Sequence, residues 1–444
     1  MNSFPVRQRR LLVRVVAAAG LSIPLVSGCA PEESDTDLTD VEALGSEFTS
    51  NAIVIAWNDI ARNAALANDG FQDFSIDLRG LTMMHLAIHD ALNTVLPVFG
   101  RYALASLVQP LAHPTAAAAQ AGHDVLVNVF PAQKGTFDTQ LANQLSQVPN
   151  GTGKTLGIQV GKDAAAAIIA RRAIDRMSVF GSFTPSNAPG NFQFVPPFNF
   201  VFRPAFGDSQ PFAINSGGQF RPGGPPNLRA SQYTTSYNEV KAFGILSGSS
   251  RSADQSQEAQ WWFEFAEVGW NRITNLLARQ RGVHLYPAAR MFALVNMGIM
   301  DSYVAVWNAK RFYNRWRPFT AIRSDTDGNN GTAPDPNWQA FCINPPTWEY
   351  PSAHAMQSAA AAEMLVSALG TDSVSFTSTS STAPPGQPNR SFNSLRAAAA
   401  EAADSRVMCG IHFRYATDAG LVAGRELANF ILGHQLLLLD ILPP

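Results

Sequence analysis

Beyond residue 50, apolar side chains recur at three- and four-residue intervals, the spacing that lines one face of a helix. This periodicity predicts a first group of helices over 52–67, 81–95, 116–129 and 155–174. A second group follows over 231–246, 253–277, 286–313, 354–369, 395–412 and 417–439. Period-two alternation, the mark of a half-buried strand, is scarce. Alanine-rich faces at 164–170 and 359–362 permit close helix–helix approach. The expected fold class is all-α, two packed helical bundles with long loops rich in Pro, Gly and Phe. Residues 50–230 form the N-terminal half and its loop, and residues 231–444 the C-terminal half.

The pattern lapses in three places. Residues 181–226 are dense in Phe, Pro and Gly, where Pro removes backbone donors and Gly loosens the chain. Phe192, Phe194, Phe198, Phe200, Phe202 and Phe206 are expected to pin this stretch as an ordered loop, since disordered linkers are poor in aromatics. Residues 323–350 form a second irregular stretch, and 372–388 a polar excursion.

The chain opens differently. Arg7, Arg9, Arg10 and Arg14 precede an apolar run over 15–26 that is too short to span a bilayer comfortably. The run ends Leu25-Val26-Ser27-Gly28-Cys29, which resembles the lipobox of bacterial lipoproteins. That likeness implies a signal peptide over 1–28, a lipid on Cys29 and a flexible acidic tether over 29–49 carrying Asp35, Asp37 and Asp40. The expected location is the cell envelope, with membrane contact only through this lipid. Ala30 supplies no retention aspartate, which favours the outer membrane where a cell has one.

Composition narrows the classes. Of 444 residues, 46% are hydrophobic and 15% charged, which excludes disorder. The 32 basic and 34 acidic side chains nearly cancel, so no nucleic-acid partner is expected. Cys342 and Cys409 either pair in an oxidising compartment or stay buried as small apolar groups. Two motif fragments carry no site. Gly153-Lys154-Thr155 ends like a phosphate loop but has Val148 where the earlier glycine belongs. Asp325-Thr326-Asp327-Gly328-Asn329 starts like a calcium loop but has Pro336 in place of the closing glutamate.

Three short clusters point to a buried anion. Lys310 is one of only five lysines, and it lies seven residues before Arg317-Pro318. Both are placed on the helix beginning near residue 286, where nearly two turns put their heads on one face. Tyr350-Pro351-Ser352-Ala353-His354 opens a helix, with Ser352 as N-cap and free N–H groups beyond it, a ready anion site. Ser405-Arg406 then precedes His412, with Arg414 and Asp418 beyond. Three cations gathered in a dry pocket require a target of about two negative charges.

Lys-x6-Arg-Pro, Pro-Ser-x-His and Ser-Arg-x5-His together resemble the signature shared by vanadium-dependent haloperoxidases and the type-2 phosphatidic acid phosphatase superfamily. The likeness to bacterial vanadium haloperoxidases extends over Leu81–Asn93, Pro131–Gln133, Gln219–Pro226 and Asn238–Lys241, and so over about residues 50 to 430. It implies the fold of that haloperoxidase and acid phosphatase group, and vanadate as cofactor with no haem, flavin or nucleotide. Lys310, Arg317 and Arg406 would hold the vanadate oxygens with Ser352 and the N–H of Ala353, which stands where the family usually has glycine. His412 would ligate the metal, and His354, with Lys310, would be catalytic. Trp307 and Thr347 would line the halide side. The substrates implied are hydrogen peroxide and bromide or iodide, with chloride a further candidate. A small organic acceptor and an oligomeric assembly are left open.

The same cage suits an envelope acid phosphatase, in which His412 attacks phosphorus to give a phosphohistidine. Asp418 lies six residues after His412, where the superfamily acid stands at four. Orienting His412 therefore needs a turn there or another carboxylate. Glu264, Glu267 and Asp301 are the candidates for balancing the arginines.

Overall fold

The computed structural model describes residues 50–70 and 72–439; the expected signal peptide, Cys29 and the tether lie outside the described residues. Five helices come first: α1 (Ala52–Asp69), α2 (Asp77–Val95), α3 (Pro114–Val129), α4 (Lys134–Leu145) and α5 (Thr152–Arg172). After the long loop come α6 (Ser231–Phe243), α7 (Ala253–Trp261), α8 (Ala266–Gln280), α9 (Leu285–Tyr313) and the short α10 (Pro318–Arg323). The chain continues through α11 (Ala353–Leu369), an antiparallel hairpin of β1 (Ser373–Thr379) and β2 (Asn389–Ser394), α12 (Leu395–Met408) and α13 (Arg414–His434).

The 29-residue α9 is the organising element. Its apolar residues lie on every side, which suits a helix wrapped by others. It packs against α2 on one side and α11 on the other, so the core runs unbroken from the first helical group into the second. Small residues set the tightest crossing. A Cβ on Gly420 would lie 2.7 Å from the Ser352 carbonyl oxygen, and one on Gly424 2.2 Å from that of Met356. Helix α13 therefore rests directly on the backbone of α11.

Four sequence expectations need correction. Residues 253–277 are two helices, because the chain turns at residues 262–265, where Trp261 and Trp262 are both buried with ring centroids 4.6 Å apart. Helix α4 has no counterpart in the expected set; it is largely exposed, and among its residues only Phe137 is buried. The polar stretch 372–388 contains β1, whose Val374 and Phe376 are buried, with Phe376 paired to Phe392 of β2. Finally, Arg317 is not on the helix of Lys310. Helix α9 stops at Asn314, in the left-handed region at φ 48°, and Arg317 is the N-cap residue of α10, with Pro318 in its first turn.

The Phe-rich loop is ordered. Phe192 and Phe206 are buried, while Phe200 is exposed and meets only the ring of Phe198 among the described aromatics. The carboxylate of Asp301 accepts the N–H groups of Phe212, Ala213 and Ile214, stitching the loop to α9. The Phe202 N–H donates to the Pro346 carbonyl, 2.8 Å away, which brings the loop beside Thr347.

Candidate active site

Lys310 emerges fully buried from the last turn of α9, and its Nζ donates to the carbonyls of Trp348 (2.5 Å) and Glu349 (2.9 Å). Arg317 reaches the same wall: its Nε donates to the Thr347 carbonyl and one Nη to that of Ile411, both at 2.8 Å. Arg406, near the end of α12, donates to the Trp262 carbonyl at 3.2 Å, and its Nε has no hydrogen-bond partner among the described residues. The chain must then turn sharply to present His412. Gly410 provides the turn at φ 78°, packed so closely on Gly244 that a Cβ would sit 2.3 Å from the Gly244 carbonyl oxygen. A disulfide between Cys342 and Cys409 ties this turn to the 323–350 stretch, settling the alternative the sequence left open.

The tautomer of His412 follows from its neighbours. An Arg317 Nη lies 3.1 Å from His412 Nε2, and a guanidinium can only donate. Nε2 is therefore the unprotonated nitrogen, and the proton sits on Nδ1, 3.0 Å from Glu349 Oε1. The same Glu349 oxygen accepts the Phe413 N–H at 3.0 Å. Glu349 is the residue that sequence reasoning missed; it is fully buried, three positions before Ser352. Asp418 is exposed on α13 and does not take this role. The other candidates are also committed elsewhere: Glu264 pairs with Arg272 at 2.6 Å, Glu267 bonds the Tyr303 hydroxyl, and Asp301 holds the loop.

The helix entrance behaves as expected of a cap. Ser352 Oγ accepts the Ala355 N–H at 3.5 Å, and the N–H groups of Ala353 and His354 have no intrahelical acceptor by position. His354 Nε2 lies 2.8 Å from the Glu264 carbonyl, which can only accept, so Nε2 carries the proton and Nδ1 keeps a lone pair. Thr347 stands in the wall with a buried hydroxyl that has no partner among the described residues. Trp307 packs against Phe74 and Tyr303, and its indole N–H donates to the Phe202 carbonyl at 3.0 Å.

The electrostatics are lopsided. Burial pushes Lys310 well below the ordinary lysine range, helped by the charges of Arg317 and Arg406. Burial takes Arg317 down to about 10 and Arg406 down to about 9. His354 is pushed to about 3 by burial and by Arg406, and His412 falls well below its usual value through burial and the surrounding cations. Against three cations stands one carboxylate, Glu349, itself pushed up to about 7 by burial. The balance is +2 (three positive, one negative), which suits a dianion. Vanadate fits this donor set: three cations, a cap hydroxyl, free helix N–H groups and an imidazole lone pair at Nε2.

The fold is of the vanadium haloperoxidase type. Residues 290–440 match the family model of the VCPO second helical-bundle domain. The fold is shared with a bacterial vanadium-dependent iodoperoxidase, at a TM-score of 0.76 and 22% identity over 89% of this chain and 99% of that one. It is also shared with a holo-type bacterial vanadium-dependent chloroperoxidase, at 0.65 and 17% over 81% and 91%. In sequence, 172 residues are 25% identical to the vanadium chloroperoxidase of Curvularia inaequalis, covering 32% of this chain. The match spans 28% of that relative, little more than a quarter of its length.

Proposed function

We propose that the protein is a vanadate-dependent haloperoxidase, oxidising bromide or iodide, with chloride a further candidate, by hydrogen peroxide to hypohalous acid. The observation that carries this reading is the buried +2 cage closed by a histidine whose Nε2 holds a lone pair. Lys310, Arg317, Arg406, Ser352 and the Ala353 N–H would hold the oxygens of vanadate, and His412 Nε2 would ligate the metal. When bound, vanadate supplies the Lewis acidity that activates peroxide toward halide attack. Glu349 keeps the proton of His412 on Nδ1, so the ligating nitrogen stays free. His354, neutral through its depressed pKa, offers Nδ1 to take a proton from incoming peroxide. Thr347, with its unpartnered hydroxyl, would line the halide side together with Trp307.

The test is reconstitution of purified protein with orthovanadate, followed by halogenation of monochlorodimedone. Activity that depends on vanadate and is lost in His354→Ala is the expected result. Inactivity with chloride, bromide and iodide from acidic to neutral pH overturns the reading, as does vanadate acting only to inhibit p-nitrophenyl phosphate turnover. We also infer an envelope location through a lipid on Cys29; labelled palmitate should be incorporated by the parent and not by Cys29→Ala.

A further inference from the structure

Several distant stretches of chain meet where α9 begins. Asn51, beside the first described residue, donates its side-chain N–H to the carbonyls of Ala278 (3.1 Å) and Val283 (2.7 Å). The Gly100 N–H donates to the Leu437 carbonyl at 2.8 Å, and the Leu439 N–H to that of Val98 at 3.0 Å. Arg290 Nε, early in α9, donates to the Leu436 carbonyl at 2.7 Å. The loop after α2 is held here by the Gln109 N–H on the Thr94 carbonyl, and joined to the start of α5 by the His113 N–H on that of Gly153. Lys310 lies near the other end of α9, about 37 Å from Leu285 at the helical rise.

The surface of this end is apolar and one-sided in charge. Leu107 is 84% and Leu111 75% exposed, and Leu96, Leu437 and Leu438 are exposed with them. Residues 91–123, 139–162, 268–300 and 427–439, which build this end, contain no Asp or Glu, although acidic residues outnumber basic ones in the whole chain. Arg101, Lys154, Arg279 and Arg281 stand here among them. Two carboxylates reach in from neighbouring segments and are engaged: Asp59 pairs with Arg279 at 3.6 Å, and Asp372, before β1, accepts the Ser394 hydroxyl and the Arg396 N–H. Exposed leucines flanked by cations suit a lipid surface, where the apolar groups enter the acyl boundary and the cations stay among anionic headgroups. A second copy of the same face would set cations against cations.

We propose that this end of the bundle rests on an anionic lipid bilayer, with Leu107, Leu111 and Leu438 in the acyl boundary and Arg279 and Arg281 at the headgroups. The chain from Cys29 enters the body at Asn51, on this same end. The proposal rests on the Cys29 lipid for delivery to the membrane and not for the contact itself. The oxyanion cage is thereby held at the far end of α9, away from the headgroup phosphates.

Hydrogen exchange of the full-length protein, read by mass spectrometry with and without vesicles of phosphatidylglycerol and phosphatidylcholine, tests it. Vesicles should slow exchange in peptides covering 104–111 and 435–439, leave 309–317 unchanged, and protect less when made of phosphatidylcholine alone. Leu107→Glu/Leu111→Glu should lose that protection while still floating with the vesicles through its lipid. Both leucines are exposed, so this variant is expected to keep its fold, which its melting temperature will verify. Unchanged exchange at 104–111 in floated protein, equal slowing at 309–317, or full protection in the variant overturns the proposal and leaves the lipid standing. Protection that grows with protein concentration in the absence of vesicles, the mark of a second copy on this face, also overturns it. Loss of the lipid is read separately: Cys29→Ala, which should take up no palmitate, is expected to show the same slowing at 104–111 at higher vesicle concentration.

Discussion

Glu349 is where the electrostatics of the cage can be tested most directly. Replacing it by Gln retains an oxygen that can accept from His412 Nδ1 and from the Phe413 N–H, both 3.0 Å away, while removing the negative charge. The cage then goes from +2 to +3 in a fully buried site. Removing one partner's charge from a buried ion cluster costs about 3–5 kcal/mol. With an unfolding entropy of about 2.1 cal/mol/K per residue, the roughly 390 described residues give about 0.8 kcal/mol/K, so the melting temperature should fall by about 4–6 °C. Scanning calorimetry without added oxyanion, well above the value of about 7 to which burial pushes the Glu349 carboxyl, measures this. Saturating phosphate should then raise the melting temperature of the variant more than that of the parent, because the dianion neutralises more uncompensated charge. A variant that melts within about 1 °C of the parent, or equal phosphate shifts in both proteins, would refute the charge count.

Gly420→Ala should drive a methyl group into the Ser352 carbonyl, destabilising the protein by about 1–3 kcal/mol and weakening oxyanion affinity, as denaturant unfolding and titration will show. Removing the disulfide as Cys342→Ser/Cys409→Ser releases a loop of 67 residues, a loss of about 4 kcal/mol in the chain-entropy model, measurable as a lower unfolding midpoint. Asp77 is pushed up to about 8 by burial and by Asp69, against an ordinary 3.8. Between these values the folded state holds a proton that the unfolded state has released, so this group makes stability fall as the pH rises. Asp77→Asn should flatten that slope, seen as melting temperatures that converge at low pH and favour the variant near pH 8.

The parts of the cage that could be read from the chain are those carried by spacing. Lys310, Arg317, Ser352, His354, Arg406 and His412 fall in short clusters whose order alone suggested a common target, and the structure brings their charges around His412. Glu349 left no such trace. A single glutamate between Trp348 and Tyr350 has neither period nor motif, and its role exists only because α12 and its Gly410 turn deliver His412 beside it. The signals for the break between Lys310 and Arg317 were present, Asn314 suited to a left-handed helix end and Pro318 to a first turn, but helical periodicity outweighed them. The break at residues 262–265 was hidden by its own aromatics, which are apolar on every face. Strand β1 was obscured because serine and threonine fill its exposed positions.

The crossing of α11 on α13 has a consequence for how the protein tolerates change. Ser352 donates its N–H to the Ala416 carbonyl at 3.0 Å, and Gly420 and Gly424 admit no side chain between the two helices. The separation of the anion-facing cap from the imidazole four residues ahead of Ala416 is thus gauged by main chain against main chain. Repacking of distant leucines or phenylalanines will lower the melting point long before it alters that gauge, leaving a protein that loses robustness and keeps its grip on oxyanions.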